Sequence, residues 1–146
     1  MKKTYIYFLL ISLITISCAD SSKKESNQTA VDLGKDRIEV LDFYGKHRCT
    51  SCVNIESHTK AVLAENYAKE QENKQVVFKL IQWDKSENES LTDKFQAAGT
   101  SLILYRIKDG KEYITDITDF AFKKSDDKTA FAKGFKARLD EELKKQ

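Results

Sequence analysis

The chain has 146 residues, and 25 Lys and Arg stand against 23 Asp and Glu, for a formal net charge of +2. Charged residues are 33% of it, mean hydropathy is −0.55, and the two signs are interspersed, which excludes the basic stripe of a nucleic-acid surface. With three cysteines and no proline, it offers one thiol pair and one odd thiol at most.

The N-terminus reads as a processing signal. Lys2 and Lys3 precede an apolar stretch over residues 5–16, and the small Ser17 stands before Cys18. About a dozen apolar residues fall short of the roughly 20 that a spanning helix needs. A cysteine after a small residue resembles a bacterial lipoprotein signal, which implies that residues 1–17 are removed and Cys18 becomes the lipidated first residue. One position departs from that motif: three residues before the cysteine, where Leu is usual, stands Thr15, with Ile14 one step back. Ordinary cleavage that leaves Cys18 as a thiol is the competing reading. Loss of Lys2 and Lys3 takes the net charge from +2 to 0. Residues 19–35 are polar and aperiodic, so 18–35 is read as a tether, with a short strand near Val31 and Leu33 as the alternative. Residues 36–146 then form one domain with a single core.

Within that domain, Ile38-Glu39-Val40-Leu41-Asp42-Phe43-Tyr44 is apolar on both faces, as a central strand is. A helix is predicted over residues 50–72, with Ile55, Thr59, Val62 and Tyr67 on one face. Residues 75–83 read as a second strand. Leu91, Phe95 and Ala98 mark a short helix closed at Gly99. Residues 101–107 and 112–118 flank Asp109-Gly110, a hairpin signal. Phe131, Phe135, Leu139 and Leu143 fall four apart on a last helix that begins near Asp126 or Asp127, and its Lys and Glu runs are read as a solvated face. Trp83, Tyr44 and most of the phenylalanines are assigned to the core.

Cys49-Thr50-Ser51-Cys52 falls between the first strand and the first helix. A thiol at a helix N-terminus meets the positive end of the helix dipole, and Lys46, His47 and Arg48 add positive charge, so the thiol of Cys49 is expected to ionise readily. Three other readings stay open: a structural disulfide, a zinc site with His47 and His58, and a dithiol that grips a soft ion such as Cu(I) or As(III). His58 lies six residues beyond Cys52, about 9 Å of helix rise, which argues against zinc.

The order strand, helix, strand, short helix, hairpin, helix, with Cys-x-x-Cys opening the first helix, resembles the thioredoxin-like superfamily. Asp42-Phe43-Tyr44-Gly45 is similar to the Asp-Phe-Trp-Ala before the thioredoxin active site. Residues 100–105, followed by Asp109-Gly110, are similar to its Pro-Thr-Leu-Leu-Leu-Phe and Asn-Gly hairpin. The resemblance implies a minimal thioredoxin-like α/β fold, a four-stranded mixed sheet flanked by helices. It further implies catalysis by Cys49 as nucleophile and Cys52 as resolving thiol, with no cofactor beyond that disulfide. The matching aspartate, Asp42, would be buried beneath the site and would exchange a proton with Cys52; a part-exposed acid paired with a lysine is the plainer alternative. Thr100 takes the place of the family's cis proline, and a cis bond before a non-proline residue costs about 2.5–4 kcal/mol, so a trans peptide is expected there.

More narrowly, His47-Arg48-Cys49-Thr50-Ser51-Cys52 with Ile55-Glu56 and Thr100-Ser101-Leu102 resembles small lipoproteins grouped as nitrophenyl-compound nitroreductase subunits of the ArsF type. That resemblance implies an extracytoplasmic, lipid-anchored thiol-disulfide oxidoreductase or electron-transfer subunit. Its partners would be a dithiol or disulfide protein, such as a membrane electron carrier, with no nucleic acid.

Overall fold

The computed structural model describes residues 35–146; the signal, Cys18 and the tether up to residue 34 lie outside the described residues. Strand β1 (Arg37–Tyr44) is buried along nearly its whole length, because both of its faces are apolar and both are covered. It pairs in parallel with β2 (Val76–Gln82) and antiparallel with β3 (Ser101–Lys108), which in turn pairs antiparallel with β4 (Lys111–Asp116). The strand order β2-β1-β3-β4, with helices on the sheet, is a minimal thioredoxin-like α/β fold.

Helix α1 (Thr50–Asn66) makes the crossover from β1 to β2 and lies on one face of the sheet. There Ile55, Val62 and Leu63 of α1 meet Ile38 and Val40 of β1, Leu102 and Leu104 of β3, and Phe131, Phe135 and Leu139 of the last helix, α5 (Lys128–Lys144). Leu41, Phe43, Ile103 and Tyr105 point to the opposite face, which the short helix α3 (Glu89–Phe95) and Ala97 cover. Asp127 caps α5, accepting from the Ala130 N–H at 2.9 Å, at one of the two positions expected. Asp109 (φ 51°) and Gly110 (φ 69°) form the two-residue turn between β3 and β4, where left-handed backbone suits the twist of a hairpin.

Four expectations are corrected. The predicted helix over 50–72 is two: α1 stops at Tyr67 (φ −131°), and α2 (Ala68–Glu72) follows. Tyr67 leaves helical geometry with its ring buried and its hydroxyl donating to Asp140 Oδ1 at 2.7 Å, a contact to α5 that local periodicity does not encode. The short helix α3 ends not at Gly99 but at Gln96, which takes the left-handed conformation (φ 53°), so that the Ala97 N–H reaches back to the Thr92 carbonyl. It is thus Ala97, not Ala98, that is buried. β4 stops at Asp116, and Thr118, expected to end the strand, begins helix α4 (Thr118–Lys124) instead. The Asp116 carboxylate accepts from the Thr118 N–H at 2.8 Å and turns the chain there. Finally, the last helix is not wholly solvated on its charged side: Glu142 is buried and holds Arg106 of β3, Nε to Oε2 at 2.9 Å.

Candidate redox site

β1 delivers the chain to the site. Gly45 follows the strand against the edge of the Trp83 indole, so near that an added Cβ would lie 2.9 Å from Nε1. The backbone N–H of Trp83 donates to the Tyr44 carbonyl at 2.9 Å, and that of Lys46 donates to Asp84 Oδ2 at 3.0 Å, so the segment after β2 holds the start of the loop. Trp83 and Tyr44 are half-buried and border this loop rather than filling the core alone. Lys46 and His47 are exposed; Arg48 is half-buried.

Cys49 caps α1: its Sγ accepts from the Cys52 N–H at 3.1 Å, the hydrogen bond that a serine or aspartate makes at other helix starts. The two cysteines are joined as a disulfide with Cα atoms 5.1 Å apart. Their environments differ. Cys49 is exposed, whereas Cys52, inside the first turn, is 6% exposed. An attacking molecule therefore reaches one sulfur and not the other, and the accessible sulfur is the one at the positive end of the helix dipole.

Asp42 lies on the β1 face that packs against α1, between Leu80 of β2 and Leu102 of β3. It is fully buried, and neither carboxylate oxygen has a hydrogen-bond partner, so the lysine-paired surface acid is not what forms. Burial pushes its pKa up to about 7, helped by the nearby charge of Glu56 and opposed by Arg48 and Lys60. A carboxyl with that value holds a proton at mildly acidic pH and releases it near neutrality, as a proton donor and acceptor for a thiol must.

Arg48 is placed differently from what its neighbourhood in sequence suggests. One guanidinium nitrogen donates to Glu56 Oε2 and another to the Cys52 carbonyl at 3.3 Å, while the group lies 4.9 Å over the Tyr44 ring. Lys60 donates to the other oxygen of Glu56. Thr100 stands just before β3, whose first residue Ser101 pairs with Phe43, so it is at the end of the sheet from which the cysteine loop departs. The peptide before it is trans. Thr118 of α4 fixes this strand start, its hydroxyl accepting from the Leu102 N–H at 3.0 Å. Sequence reasoning missed Thr118 and Lys60, neither of which carries a motif. His58, the fourth member of the zinc reading, has Nε2 3.1 Å from the Ser125 carbonyl and its ring on Phe131.

Comparisons with known proteins add little to this geometry. No protein-family model matches the chain, and no curated protein does. A solved structure described as that of a malarial protein is similar over 60% of this chain and 94% of its own, at 22% identity and a TM-score of 0.39.

Proposed function

We propose that this protein is a membrane-anchored, extracytoplasmic thiol-disulfide oxidoreductase or electron-transfer subunit of the thioredoxin-like superfamily, working through Cys49 and Cys52. The observation that carries the reading is an exposed sulfur bonded to a buried one, at a helix N-terminus, on the face of the sheet where a buried carboxyl has no partner. The Cys49 thiolate of the reduced protein attacks a partner disulfide; a new Cys49–S–S–R bond forms, and the first partner sulfur leaves as thiolate. Cys52 then gives its proton to the Asp42 carboxylate and attacks Cys49 Sγ. The second partner sulfur leaves with the electron pair of the broken bond and takes up a proton. Two electrons and the Cys52 proton, handed on from Asp42 to the second leaving sulfur, pass in all, and the same steps reversed oxidise a dithiol. No cofactor beyond the disulfide is needed.

Anchoring rests on the sequence, with Cys18 as the lipidated residue and a membrane electron carrier of the kind served by nitroreductase subunits of the ArsF type as partner. Stable attachment takes more than one acyl chain, which lipoprotein maturation supplies. No helix among the described residues is long and apolar enough to cross a membrane.

Trapping tests the reading. Cys52→Ser, which lacks the resolving thiol, should accumulate mixed disulfides through Cys49 in the cell envelope, and Cys49→Ser should accumulate far fewer. Equal yields from the two variants, or none from either, contradict the assignment. In the same cells Cys18→Ser should stay unprocessed or leave the membrane fraction; a variant of wild-type mass that remains membrane-bound contradicts the anchor.

A further inference from the structure

Sequence adjacency assigns the positive charge of Arg48 to Cys49; the structure assigns it elsewhere. Its two terminal nitrogens are taken by the Glu56 carboxylate and the Cys52 carbonyl, its face by the Tyr44 ring, and its Nε is buried without a partner. Glu56 is one helical turn beyond Cys52 on α1, and its side chain is 15% exposed against 24% for Arg48. So covered, the pair is screened by solvent and salt far less than a surface ion pair.

We propose that Glu56 is a positioning residue for the dithiol: by fastening Arg48 to α1 it withholds that cation from the Cys49 thiolate and so sets how readily the disulfide is reduced. The inference rests on the redox reading above. A cation free to approach Cys49 would stabilise the thiolate, hence the reduced form, and make the disulfide a stronger oxidant. Glu56 opposes this by neutralising Arg48 and tying it to α1, while its own charge acts on Asp42. The charges that act on Asp42 are Glu56, Arg48 and Lys60, and its strand neighbours Leu80 and Leu102 bring none. Lys46 and His47, which precede Arg48 in the same loop, are both exposed. Lys60 offsets part of the charge of Glu56 from an exposed position one turn further along the helix.

The pH dependence of Cys49 alkylation in the reduced protein reads this directly. Glu56→Gln keeps the shape of the side chain and removes its charge, and the Arg48 cation then loses its anchor. The midpoint of Cys49 alkylation should fall by about one pH unit, and the equilibrium with a glutathione buffer should move about tenfold toward the reduced dithiol. Adding Arg48→Gln to that variant should cancel the shift, whereas Arg48→Gln alone should change the midpoint little, a pattern that a merely structural pair does not produce. A folded Glu56→Gln protein with both readings within about twofold of wild type overturns the inference. If Glu56→Gln does not fold, Arg48→Gln alone decides: a small change supports the proposal, and a rise of about one pH unit, showing that Arg48 already serves the thiolate, overturns it. Should the alkylation midpoint shift as stated in a protein that exchanges with no disulfide, the clamp stands and the redox reading falls.

Discussion

Asp42→Asn should make the oxidised protein far more resistant to urea at pH 8 and leave its resistance near pH 4 almost unchanged. The native carboxyl has a pKa of about 7 because it is buried and near Glu56, against 3.8 for the group in an unfolded chain. Between those values the unfolded state has already released the proton that the native state retains. Stability therefore falls as pH rises from about 4 to about 7 and is level beyond. A gap of about three pH units at 1.36 kcal/mol each comes to about 4 kcal/mol, a large part of the total stability of a domain this size. Asparagine carries no charge at any pH, so the variant escapes the whole penalty at pH 8 and gains little near pH 4, where the native carboxyl is protonated and the unfolded one is only about half ionised. Urea midpoints for the two proteins at the two pH values test this. A difference that does not grow with pH would mean that Asp42 titrates as an ordinary surface acid. The same substitution should slow exchange with a disulfide, since Cys52 loses its proton acceptor.

Glu142→Ala should cost about 3–5 kcal/mol of folding stability. Arg106 is 9% exposed on its side chain; its guanidinium lies 3.9 Å over the Tyr113 ring, and Glu142 supplies its charge partner at 2.9 Å. Thr115 and Lys145 donate to the second oxygen of Glu142, at 3.3 and 3.0 Å. Removing the carboxylate leaves a covered cation with no counter-charge, and that is the costly half of a buried pair. Burial pushes the pKa of Glu142 up, but the hydrogen bonds from Arg106 and Lys145 outweigh it and hold it below the usual range. A lowered native value means that the stabilisation is present above the unfolded pKa and is lost as pH falls through the native one. Replacing both Arg106 and Glu142 with leucine should recover most of the loss, because two apolar side chains leave no unpaired charge. A loss below about 1 kcal/mol in the single variant would show that water reaches Arg106.

These residues also mark where the sequence was legible. The strand of residues 38–44, the Asp-Gly hairpin and the last helix could be placed because each rests on a local cause: an apolar run, two left-handed turn residues, a four-residue spacing under an Asp cap. The Cys49–Cys52 pair was legible for the same reason, since four adjacent residues carry it. The breaks were not. Tyr67 ends α1 for a hydroxyl contact with Asp140, 73 positions away, and Glu142 is buried in what reads as a solvated run because Arg106 lies 36 positions before it. Helix α4 had no counterpart in the sequence reading, which ran the hairpin strand on to Thr118 and left residues 119–124 unassigned, because the turn at Asp116 rests on one side-chain hydrogen bond. At the site, Asp42 was legible as an acid in an apolar strand, but the turning of Arg48 toward Glu56 was not. Adjacency in sequence places Arg48 beside Cys49, and only the fold shows the carboxylate one turn further on that captures it.

The reduction potential of the Cys49–Cys52 pair, measured by equilibrating the intact protein with thiol-disulfide buffers, tests the redox claim most directly. A working dithiol should lie above about −300 mV, in the range where protein disulfides exchange with their partners, with Cys49 the faster of the two thiols to alkylate once reduced. A value below about −300 mV, together with a disulfide that resists glutathione, would make the bridge a structural one and contradict the account.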